Sequence, residues 1–167
     1  MKKYFTKKNI FLTLLVLFIL IQFVRPEKNQ SNDFSKDIST IMPMSASLQQ
    51  TLKTSCYDCH SNHTDYPWYA EVQPIAGWLQ HHVDEGKSEI NFSVFSDYKL
   101  RRKYHKLEEI VEQVEKNEMP MTSYTLIHRN AALNEAQKQE IIVWAKTQMD
   151  TLKAHYPIDS LVKPKSR

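Results

Sequence analysis

Cys56 and Cys59 are the only cysteines in 167 residues, and His60 follows the second directly, in the segment SCYDCHSNH. A C-x-x-C pair serves three chemistries. A redox disulfide wants the pair at the start of a helix in an α/β fold. A structural zinc site wants four nitrogen or sulfur ligands. The only further donors are histidines such as His63, His81 or His82, which show no regular pairing with the cysteines. Haem attachment uses C-x-x-C-H: two thiols add across two vinyl groups, and the adjacent imidazole supplies an axial nitrogen to iron. That reading employs every residue of the cluster. It also accounts for the lack of a third cysteine, which would mispair in an oxidising compartment. The residues predict one covalent haem c held by Cys56 and Cys59, with His60 on the iron.

An electron carrier needs a sixth ligand, whereas a sensor or peroxidase-like domain leaves that position open. Met119, in KNEMPM, is the first candidate, because Pro120 restricts the backbone ahead of it to an extended form. Met121 and His82 are the alternatives. A methionine is more often gap-filling, and a histidine beside Trp78 on an apolar face is more often a core-edge residue. His81, His105, His128 and His155 are expected at the surface. Trp68, Tyr69 and Trp78 are expected to wall the haem or fill the core, and a carbonyl of Pro67 or Pro74 is expected to orient His60.

The elements that must position these groups read as helices. Two glycines in the whole chain leave tight-turn strand architectures without their usual residues. Ser45 or Ser47 can cap a helix carrying Leu48, Leu52 and Cys56 on one face. Pro74 suits the first turn of a second helix, with Gly86 as its stop. A third opens near Ser96 or Asp97 and must end before Pro120. A fourth begins at Asn134, whose pairing with Gln137 resembles a capping box, and Pro157 ends it. The expected fold is all-α, a small cytochrome c-like domain of about four helices behind an N-terminal membrane helix.

That N-terminal element is an apolar run from Ile10 to Val24 after four lysines, a secretory n-region and h-region. At about 15 residues, some 22 Å, it is short of a hydrocarbon core of roughly 30 Å, which favours a cleaved signal. The missing small-x-small cleavage site favours an uncleaved anchor. Either way the domain is expected to face the periplasm from the cytoplasmic membrane. The division expected is 1–26 signal anchor, 27–44 polar tether, 45–156 haem-binding domain and 157–167 loose tail. Five basic residues and no acid lie in 1–26, leaving 17 basic against 19 acidic residues, so no nucleic-acid partner is indicated.

The segments CYDCHSN, PWY, WLQHHVDEG, NFS and MPMTSY together resemble the haem-binding domain family of small bacterial c-type cytochromes, over roughly residues 45–148. The resemblance implies covalent haem at Cys56 and Cys59, His60 as proximal ligand and Met119 as distal ligand. The expected function is electron transfer between redox partner proteins, not catalysis.

Overall fold

The computed structural model describes residues 6–163. Lys2, Lys3, Tyr4 and Phe5 of the n-region, and the end of the expected tail, lie outside them. The described residues form α-helices and short 3-10 turns with no strand: α1 (Lys7–Ile21), α2 (Ala46–Ser55), α3 (Tyr57–His60), α4 (Ile75–Glu89), α5 (Leu100–Glu115), α6 (Thr122–Thr125), α7 (Glu135–His155) and α8 (Ile158–Leu161). The four expected domain helices are α2, α4, α5 and α7.

Their ends follow local chemistry. The Ser45 hydroxyl accepts from Leu48 N–H at 3.0 Å and starts α2. Asn134 and Gln137 close a reciprocal capping box at α7, each bonded to the other's backbone. At α5 the terminator is not Pro120. The helix stops at Glu115 because Asn117 takes the left-handed conformation (φ 57°), with Asn117 N–H bonded to Val114 O and Glu118 N–H to Gln113 O. This is a Schellman closure, which asparagine tolerates better than most residues.

Helix α5 packs on α7, and α3 on α4. The core joins Leu48 and Leu52 of α2, Leu107, Val111 and Val114 of α5, and Ile141, Trp144 and Ala145 of α7. Trp144 donates its indole N–H to Pro43 O at 3.0 Å, so the largest core side chain leaves no polar atom unpaired.

Three expectations are corrected. No helix among the described residues is long and apolar enough to cross a membrane, so an N-terminal membrane helix is not supported. Helix α1 forms, but its 15 residues reach only about 22 Å. Residues 27–44, expected as a polar tether that becomes ordered only near Ile41, are built into the fold well before that point: Ile38 is 0% exposed and joins the core that also holds Met42. Asn29 is buried too, its amide bonded to Ser61 O and Thr64 Oγ1. Gln22, at the end of α1, exchanges two hydrogen bonds with the backbone of Gln73, so the helix end is fastened directly to the domain. Within the expected loose tail, α8 forms and buries Leu161.

Ile38→Ala is expected to lower stability by about 2–5 kcal/mol, the cost of a buried aliphatic truncation. Urea unfolding checks it; a loss below about 0.5 kcal/mol would return 27–44 to the status of a tether.

Candidate haem site

Cys56, Tyr57, Asp58, Cys59 and His60 occupy one helical turn. Cys56 is the hinge: its N–H closes α2 on Leu52 O, and its carbonyl accepts from His60 N–H at 2.9 Å to form α3. The turn therefore presents Cys56, Cys59 and His60 to a single cavity of about 550 Å³, within the usual range for small-molecule sites. Leu52, Ile90, Phe92, Ile110, Val114 and Ile141 supply its apolar lining. The cysteines are free thiols. Burial pushes Cys56 up to about 12 and Cys59 to about 11, so both stay neutral near pH 7.

His60 is held from behind. Its Nδ1 lies 2.8 Å from Gly86 O and 3.1 Å from Ile90 O, the carbonyls at the C-terminal end of α4. Two carbonyls are acceptors only, so Nδ1 carries the proton and Nε2 keeps its lone pair for a metal. Burial lowers the pKa of His60 from its usual 6.5, against the raising effect of the two carbonyls, and the ring is neutral. The expected orienting carbonyls, Pro67 and Pro74, are not the ones used.

Gly86 makes this possible. It was expected to stop its helix, yet α4 continues to Glu89. A β-carbon on Gly86 would lie 2.6 Å from Cys59 O and 3.1 Å from the Cys59 carbonyl carbon, which is overlap with backbone. Only glycine lets α4 approach the turn closely enough to bring its carbonyl to His60.

The remaining motif residues fasten the loops around this turn. Asp58 Oδ2 accepts from Tyr124 Oη at 2.6 Å, and Asp58 Oδ1 accepts from Asp65 N–H. Asn91 donates its amide to Asn62 Oδ1 at 2.7 Å, while Asn62 N–H donates to Ser93 Oγ, tying the NFS segment to CHSN. Tyr57 donates to both carboxylate oxygens of buried Asp37 and stacks on Phe92, which leans on His60. The roles of Asp58, Tyr124, Asn62 and Asn91 are not legible in the sequence, although all four lie in the CYDCHSN, NFS and MPMTSY segments. The signal available was a polar residue close in sequence to the cysteines, to the NFS segment or to Met119.

The distal candidates also reach the cavity: Met119, Met121 and His82 all line it. His82 Nδ1 is bonded to Trp78 O at 2.9 Å, with its ring against that indole. The aromatic expectation fails. Trp68 is 80% exposed and Trp78 is 48% exposed. Neither they nor Tyr69 lines the cavity, and Phe92 and Tyr124 take that place. His128, expected at the surface, is half-buried with Nε2 2.7 Å from Tyr69 Oη. Among the described residues no three His, Cys, Asp or Glu side chains are grouped to hold a metal ion, so the thiol pair lacks partners for a four-ligand zinc site.

The donor set fits haem: paired thiols, a neutral imidazole with a free nitrogen and a thioether, in one largely apolar cavity. The helical fold and this cavity define a small all-α cofactor-binding domain. A model described as "Haem-binding domain" matches residues 16–147, most of the chain, and the chain belongs to that family. No curated protein and no solved structure matches it.

Gly86→Ala is expected to cost about 1–3 kcal/mol of stability through backbone overlap and to lower haem retention. Melting and the haem-to-protein absorbance ratio check both. Because the fold holds His60 neutral, the unfolded chain takes its proton first. Stability of the haem-free protein should therefore fall as pH drops below 6.5. His60→Gln should reduce that slope in denaturation curves at about pH 7.5 and about pH 5.5.

Proposed function

We propose that this chain is a monohaem c-type cytochrome that passes single electrons on the periplasmic side of the cytoplasmic membrane. The observation that supports it most is the convergence of Cys56, Cys59, His60 and Met119 on one cavity, with the Nδ1 of His60 engaged and its Nε2 left over. Cys56 and Cys59 would hold one haem through two thioethers, and His60 and Met119 would ligate its iron. The group supplies a one-electron ferric–ferrous couple when bound.

The protein's own residues do the rest. The carbonyls of Gly86 and Ile90 fix the imidazole's tautomer and orientation, and make it a stronger donor. Met119 as sixth ligand would shift the potential upward relative to a second histidine. The apolar walls from α2, α5 and α7 exclude water. This role is electron transfer to redox partner proteins rather than turnover of a substrate.

Export is consistent with the basic, apolar N-terminus and with attachment chemistry that needs reduced thiols delivered to an oxidising compartment. Helix α1 buries none of its side chains in the domain; too short to cross a bilayer, it would rest its exposed apolar surface against the membrane rather than span it.

Protein made with a haem-attachment system should give a haem-stained band at 19.7 kDa on a denaturing gel, or slightly lower if the N-terminus is cleaved. The Cys56→Ala/Cys59→Ala variant should give none; an unstained wild type contradicts the proposal. Met119→Ala should keep the stain but lose the weak red-edge absorption band that accompanies methionine–iron ligation. Survival of that band would move the distal role to another residue.

A further inference from the structure

The loop bearing Met119 and Met121 has little burial to hold it. Its first part is fastened to the end of α5, with Glu118 and Met119 N–H groups both directed at Gln113 O. Its second part, α6, is a single turn with no buried residue, followed by exposed Leu126 and Ile127. Segments with so few apolar contacts open easily.

Tyr124 is the exception. Its hydroxyl donates to Asp58 Oδ2 at 2.6 Å, between the two cysteines, and its ring stacks on His128 at 4.4 Å. His128 is in turn held by Tyr69 at 2.7 Å. Asp58 is fixed independently by its own turn, because Oδ1 accepts from Asp65 N–H and its carbonyl accepts from Thr64. The anchor is therefore on the C-x-x-C-H side, and Tyr124 is the group that travels with the loop. Burial and the Asp58 carboxylate both raise the pKa of Tyr124, which keeps its hydroxyl a donor.

We propose that Tyr124 is a positioning residue: its hydrogen bond to Asp58 fastens residues 119–125 against the cysteine turn and so holds Met119 in the cavity. This rests on the haem reading and on Met119 as distal ligand. The bond is of the strong, charge-assisted kind. It is also the direct side-chain bond between the distal loop and the segment carrying the cysteines, Asp58 and His60. The distal ligand's hold is thus set from the proximal side of the site.

The test uses full-chain, haem-loaded Tyr124→Phe, which deletes one oxygen and keeps the stack on His128. Haem staining and cooperative melting should be retained. Amide exchange across residues 119–128 should rise about ten- to hundredfold, matching the loss of one hydrogen bond to a charged group. Imidazole added from solution should bind more tightly by a similar factor, since it competes with a loosened thioether, and the red-edge band should weaken. Asp58→Ala also frees Asp65 N–H, so it serves only in combination: adding Tyr124→Phe to it should have almost no further effect on imidazole binding. Wild-type exchange and wild-type imidazole affinity in Tyr124→Phe would overturn the proposal. Faster exchange with unchanged imidazole binding would overturn it as well, leaving a bond that serves stability alone. If Met119→Ala then kept the red-edge band, the fault would lie with the distal assignment.

Discussion

Backbone meets backbone where the last turns of α4 cross the cysteine turn, and Gly86 is the residue that permits it. Any side chain there would strike the Cys59 carbonyl. With that approach made, the carbonyls of Gly86 and Ile90 reach Nδ1 of His60. These carbonyls lie at the negative end of a helix dipole, which favours a proton on the nitrogen facing them. The other nitrogen, Nε2, is left with its lone pair free. A single close contact thereby sets the tautomer and orientation of the His60 ring, and indirectly its basicity.

Around that contact the fold uses polar clamps where it lacks regular structure. Residues 56–65, 91–93 and 119–125 are turns and short helices, so few of their backbone groups pair among themselves. Asp58 with Tyr124, Asn62 with Asn91 and Ser93, and Asn29 with Ser61 and Thr64 bind them together. Each bond contributes about 1 kcal/mol, but losing one partner of a buried pair costs more, because the other is stranded. The longer helices form the apolar walls and give these clamps something rigid to attach to.

The helices of the domain were legible because their signals are local. Ser45, Pro74, and Asn134 with Gln137 act on groups within four residues of themselves, and periodicity marks the buried face. The grouping of Cys56, Cys59 and His60 at one cavity was legible for the same reason: the three lie within five residues of one another. What escaped was long-range or carried by backbone. A carbonyl that orients His60 has no side-chain signature, so Pro67 and Pro74 were as plausible as Gly86. Gly86 read as a helix stop, since the sequence shows a missing side chain but not the neighbour that requires it to be missing. Residues 27–44 looked like a tether by polarity, because the buried polar bonds of Asn29 and Asp37 are invisible until their partners are placed. Trp68 and Trp78 looked like core by residue type, which is a weak guide for a large amphipathic ring.

On the electron-transfer reading proposed above, His60 would be pre-positioned by two backbone carbonyls that need not move when charge changes, which would keep reorganisation small. The most direct measurement is nitrogen NMR of haem-free protein labelled with ¹⁵N-histidine, read at neutral pH. The account predicts a neutral His60 ring protonated at Nδ1, with Nε2 showing the shift of a bare lone pair. A proton on Nε2, or a doubly protonated ring, would contradict it.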